Sequence, residues 1–272
     1  MCKIIKFCAI SYPFGCKFCN FVPTAVRQKL YIRLCCWLRF DYIQSAILLM
    51  TEIPRFYCPD SEFLEPYIRR EVGANDITVP IMISSTDIYR VSPGDIATED
   101  SPVDSNSVWA AREKAFSEAY PEGIIVRCAP ITATGMRGRV FDLAKDIAKG
   151  IFFHFPGNEA RMSVVHATDV ARAVALINGT HAAHKVYNLT DNIDPSVHDL
   201  AEALAYRMNN KRISTLSTRP QQMLGKFVYG RRYAIYTTER RYNSARFIEE
   251  FKFTPVAVCD YLRTHVYDET SL

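Results

Sequence analysis

Ser84-Ser85-Thr86-Asp87-Ile88-Tyr89 closes a short apolar run. Hydroxyls beside a carboxylate at a strand end can hydrogen-bond a ligand oxygen, and open α/β sheets gather ligands at the carboxyl ends of their strands. The same residue types also make an ordinary strand-to-loop turn. Lys114 follows on a helical stretch, with Glu118 four residues on. On an inner helix face such a lysine can hold a ribose and lower the pKa of a neighbouring acid; on an outer face it is a solvated ion pair. Cys16-Lys17-Phe18-Cys19 has the C-x-x-C form. A structural zinc needs four ligands, and Cys8, Cys35, Cys36 and Cys58 offer no second pair at that spacing, so no metal is expected. His154, His166, His181 and His184 show no metal-ligand spacing either. Arg231, Arg232, Arg240 and Arg241 alternate with Tyr229, Tyr233, Tyr236 and Tyr242. That stretch can face nucleic acid, but the reading adopted is a solvated helix face with aromatic packing.

Regular elements that can position these groups begin near residue 60. Glu62 to Val72 reads as a helix despite Pro66, with Gly73 suited to its end. The β-branched run Ile77 to Ser84 predicts a buried strand. Residues 90–108 are rich in Pro, Ser, Asp and Gly and predict a loop. Trp109 to Tyr120 predicts a helix and Gly123 to Ile131 a second buried strand. Further helices are expected over Arg139–Lys149, Asp169–Asn178, Asp194–Met208 and Val256–His265, with strands over Met162–His166, Val186–Leu189 and Ile213–Leu216. The tail from Arg219 reads as mostly helical. Alternating strands and helices imply an α/β fold with a mainly parallel sheet.

Taken in order, these pieces resemble the extended short-chain dehydrogenase/reductase family, the NAD-dependent epimerases and dehydratases. The resemblance runs from about residue 60 to 190 and more loosely beyond. It rests on Ser84 to Tyr89, Glu99-Asp100-Ser101-Pro102, Lys114, Arg127-Cys128-Ala129-Pro130 and His166-Ala167-Thr168-Asp169-Val170-Ala171. It implies a partial Rossmann-like parallel sheet with a mainly helical C-terminal substrate lobe. By the same resemblance Ser85 and Lys114 stand at catalytic positions. Ser84, Lys114, Cys128 and Pro130 would meet NAD or NADP, and Thr86 and Arg161 would meet substrate. The expected activity is oxidoreduction, epimerisation or dehydration of a sugar nucleotide or similar alcohol or ketone, with the dinucleotide carrying the hydride.

The chain departs from that pattern at two places. Ala110 occupies the position four residues before Lys114, where the family keeps its catalytic tyrosine, and a methyl group is neither acid nor base. Gly15 is the only glycine before Gly73, so the glycine-rich turn that lets a backbone approach a pyrophosphate is missing. Weak dinucleotide binding and little turnover are therefore expected. The alternative is a non-catalytic module that binds a ligand or a partner chain on the same scaffold.

Composition supports a globular chain: 272 residues, 49% hydrophobic, 23% charged. The net charge of +4 is too small to argue for nucleic acid as the main partner. Residues 1–55 form a basic, cysteine-rich segment of unknown fold, distinct from an epimerase-like domain over 56–272. Nine cysteines and no export signal predict a reduced, cytoplasmic chain. Residues 30–50 are apolar but carry Arg33, Arg39 and Asp41, so no membrane span is expected. A sheet lacking its first strands would expose an edge, which makes a homo-oligomer plausible.

Overall fold

The computed structural model describes residues 55–264 apart from 60, 74–76, 93, 134, 136, 155–156, 209–212, 216–225, 228–229 and 231–232. The cysteine-rich front segment, its C-x-x-C, Arg231, Arg232 and Tyr229 lie outside the described residues.

Four parallel strands form the central sheet in the order β1 (Phe56–Tyr57), β2 (Ile81–Ser85), β4 (Ile124–Cys128), β8 (Val186–Leu189). Helix α1 (Ser61–Val72) links β1 to β2 and α2 (Val108–Ala119) links β2 to β4. Between β4 and β8 run α3 (Arg139–Ala148) and α4 (Ala167–Gly179). The sheet is thus α/β and parallel, as the alternation of elements requires. Beyond β8 come α5 (Val197–Arg207), α6 (Tyr233–Thr237), α7 (Ala245–Phe251) and α8 (Val258–Thr264).

Short parallel pairs stitch the loops: β3 (Ile96–Ala97) with β10 (Arg241–Tyr242), β5 (Ile131–Thr132) with β7 (Val165–His166), and β6 (Phe153–His154) with β9 (Ser214–Thr215). Three sequence expectations change accordingly. The first strand starts at Ile81 because Pro80 has no N–H to give a ladder. The second breaks at Pro130 into β4 and β5. The loop over 90–108 contains β3, too short to show an alternation.

Strand alternation sends the two sheet faces to different partners. Ile81, Ile83, Ile124, Val126 and Cys128 join the main core with Leu64, Ile68 and the apolar side of α4. Met82 and Ile125 face the other way, under Phe116 of α2. At the outer edge of the sheet, side chains take the place of a neighbouring strand. The Asn188 N–H donates to Glu99 Oε1 at 2.8 Å, and Arg246 donates to the Val186 carbonyl at 3.4 Å. Arg246 also pairs with Asp100 at 2.7 Å and lies 3.8 Å from Glu99.

Close packing under α2 leaves no room at Gly123, where a Cβ would sit 2.6 Å from the buried Phe116 ring. Gly123→Ala should therefore destabilise the fold by about 1–3 kcal/mol, typical of overpacking. Denaturant melts should show the midpoint falling; an unchanged midpoint would contradict the packing.

Candidate functional site at the carboxyl end of the sheet

Register brings Ser84, Arg127 and Asn188 into one row across β2, β4 and β8. All three lie on the α2 face, one step toward the carboxyl end from Met82 and Ile125. All are buried, so the row cannot be solvated by water. A buried guanidinium needs a partner, and α2 supplies Glu113. Its carboxylate receives Arg127 Nε at 3.0 Å and Nη2 at 2.7 Å, and the Ser84 hydroxyl at 2.6 Å. Arg127 Nη1 donates to the Tyr89 hydroxyl at 2.9 Å, which in turn donates to Asn188 Oδ1 at 2.6 Å. Burial opposes the Arg127 charge, but the bonds and charge of Glu113 outweigh it and hold the guanidinium protonated. Burial pushes the Tyr89 hydroxyl above its usual range despite the Arg127 charge beside it.

This network fixes what the sequence motif can do. Ser84 is spent on Glu113. Ser85 points to the opposite face, opposite Cys128 in the β2–β4 register, and its Oγ caps a 3-10 turn by accepting from Asp87 N at 3.1 Å. Cys128 is buried and its neighbour Pro130 gives its carbonyl to Val165 N. Thr86 is 0% exposed, and its Oγ1 has no hydrogen-bond partner among the described residues. Asp87 forms an ion pair with Arg139 at 2.8 Å, tying that turn to the start of α3. Arg139 Nη1 is buried and also has no partner there. Helix α3 begins at Gly138, φ 95°, with no side-chain cap.

Lys114 is not brought to Ser85 by α2. Its side chain is 79% exposed and pairs with Glu118 at 3.9 Å. The buried side of α2 is Glu113 and Phe116, with Trp109 packed on both clusters; Ala110 is half-buried. Arg161 is exposed and holds the loop after β8, donating to the carbonyls of Asp194 at 2.7 Å and Ile193 at 3.4 Å. Arg139 and Glu113 are the site residues sequence reasoning missed.

The loop after β8 is itself polar and tight. Asn192 and Asp194 adopt φ of 58° and 53°, rare for side chains with a Cβ but tolerated by Asn and Asp. Buried Asp191 accepts from the N–H groups of Ile193 and Asp194, while Asp194 accepts from Ser163 and Arg241. Burial pushes the Asp191 carboxyl up to about 6, against the two N–H bonds that pull it down.

Tyr236 and Tyr242 of the Arg/Tyr stretch are buried: Tyr236 bonds Asp146 at 2.7 Å and Tyr242 stacks on Tyr89 at 5.9 Å. Among the described residues no group of three or more His, Cys, Asp or Glu is placed to hold a metal ion, and no helix is long and apolar enough to cross a membrane. Cys58, Cys128 and Cys259 are reduced thiols.

No family model matches the chain, and no curated protein matches it. Solved structures do. A human epimerase family protein with NADPH is 12% identical, with a TM-score of 0.51 over 75% of this chain and 73% of that one. A conserved protein of unknown function from Silicibacter pomeroyi is 19% identical, with a TM-score of 0.50 over 79% and 73%. The dTDP-glucose 4,6-dehydratase of Bacillus anthracis, in complex with NAD, is 14% identical, with a TM-score of 0.47 over 68% of this chain and 59% of that one. Against that dehydratase, this chain spans less than two thirds of the length. The fold is that of the extended short-chain dehydrogenase/reductases, the NAD-dependent epimerases and dehydratases.

Two outcomes follow. Arg127→Met strands the buried Glu113 carboxylate and should cost about 3–5 kcal/mol in urea unfolding, most of it recovered by Arg127→Met with Glu113→Leu. A single-variant cost below about 1 kcal/mol would refute the network's weight. Asp191 binds its proton more tightly folded, near 6, than unfolded, near 3.8. Its charge therefore costs stability at neutral pH, and that cost vanishes as the pH falls from above 6 toward 4. Carboxyl NMR should place its midpoint near 6; a midpoint near 4 would contradict the burial.

Proposed function

We propose that this chain is an NAD(P)-dependent epimerase/dehydratase-like protein with impaired chemistry. It keeps the scaffold and the substrate end, holds a phosphate-bearing ligand of the sugar-nucleotide class, and transfers little or no hydride. The observation that carries this reading is Lys114 in solvent with Ala110 one turn before it. Among the described residues no acid–base pair then stands beside Ser85, because the Tyr89 hydroxyl is locked between Arg127 and Asn188. The residues present do not fit a nicotinamide dinucleotide: a glycine-rich turn is missing before residue 73, the lysine points outward, and the Cys128 side chain is buried. No chemical step is therefore assigned through that group.

The ligand end is better supplied. Arg139 has a spare buried donor, Thr86 an unpartnered buried hydroxyl, and the ten-residue α3 begins without a side-chain cap, leaving its first N–H groups for an anion. The sugar-nucleotide class comes from the sequence resemblance.

Calorimetry on the folded chain with NAD, NADP and UDP-glucose tests the reading. We expect no dinucleotide binding in the low micromolar range, binding of UDP-glucose, and a loss of about tenfold or more with Arg139→Gln. Low-micromolar NAD or NADP binding with measurable turnover would overturn it. Binding of UDP-glucose untouched by Arg139→Gln would remove the ligand end from α3.

A further inference from the structure

The imidazoles of His154 and His198 lie with ring centroids 3.8 Å apart and planes 31° from parallel. No part of the proposed ligand site uses them. His154 is the last residue of β6, whose only ladder partner among the described residues is the two-residue β9. His198 is in the first turn of α5. The stack therefore joins a short ribbon to the start of a helix.

We propose that His154 and His198 form an acid-sensitive latch that holds the β6–β9 ribbon on α5 while at most one ring is charged and releases it when both are.

The physical case is geometric. Two neutral rings at this distance stack favourably. One proton is tolerated, because Glu202 lies one turn along α5, 3.3 Å from His198 Nε2. A second proton places two like charges at stacking distance. It also does so beside the positive end of a helix, where a cation is disfavoured. Among the described residues, the charged groups acting on His154 are His198 and Glu202, both on α5. β9 contributes only Ser214 and Thr215. Asp199, in the same first turn of α5, is engaged by the Ser196 hydroxyl at 2.7 Å and N–H. Desolvation and the His198 charge both hold the His154 proton off, so His154 is the ring that charges last.

The ribbon has other anchors: Phe153 and Ile213 pack against the main core, and Phe152 meets Tyr236 edge-on at 5.5 Å. Those contacts do not involve the imidazoles, so release of the latch should loosen β6–β9 without unfolding the sheet.

Imidazole-proton NMR on the full chain tests this first. His154 should titrate below an ordinary histidine. Hydrogen exchange, corrected for intrinsic pH dependence, should then rise about tenfold or more at Phe153–His154 and Ser214–Thr215 below the His154 midpoint, with the sheet amides unchanged. His198→Phe keeps a ring and removes a charge, so it should abolish the rise; Glu202→Gln should lower the His154 midpoint further. The wild-type titration stands if either variant fails to fold. An ordinary His154 midpoint, or ribbon exchange that ignores pH, would overturn the latch.

Discussion

A positive charge inside a strand sets the terms for this fold. Arg127 sits in the second-from-edge strand of a parallel sheet, buried, with apolar neighbours on both sides along the chain. Glu113 must face inward to meet it, which fixes the rotation of α2. Tyr89 must reach across to the remaining guanidinium donor, which fixes the turn after β2. Asn188 completes the row and draws in Glu99 and Asn243. The carboxyl end of the sheet is therefore organised around one bidentate ion pair that also bonds Ser84 and Tyr89, and such added hydrogen bonds are what let a buried pair hold.

The same constraint explains the orientation of Lys114. Helical periodicity lets a single face of α2 point at the sheet. Once Glu113 and Phe116 occupy it, Lys114, about 100° round the helix from Glu113 and about 160° from Phe116, is turned outward. This chain commits that space to holding Arg127. The groups that stabilise such a scaffold need not be those that react.

Much of this was legible in advance. The buried runs IMIS and IIVRC stand out by β-branched and apolar content, and α4 and α5 by their 3.6 period with polar starts. The Ser84–Tyr89 motif falls at the carboxyl end of β2, and the helix around Lys114 is where the pattern places it. The inward side of that helix was not recognised. Its signal was available: Trp109, Glu113 and Phe116 recur at helical spacing, and an arginine inside an otherwise apolar strand needs a carboxylate from an adjacent element. The pairing of Asp87 with Arg139 was beyond reach, because it joins residues 52 positions apart through a turn and a helix start with no local pattern. Two-residue strands such as β3 and β9 carry too little sequence to be seen.

The clasp along β8 has a consequence for how this protein can meet other chains. Glu99 and Arg246 occupy the amide of Asn188 and the carbonyl of Val186, the groups a foreign strand would seek. A chain docking there must first evict two charged side chains that also hold each other. Growth of the sheet by strand addition at β8 is closed off, because that edge is sealed by side chains that carry charge.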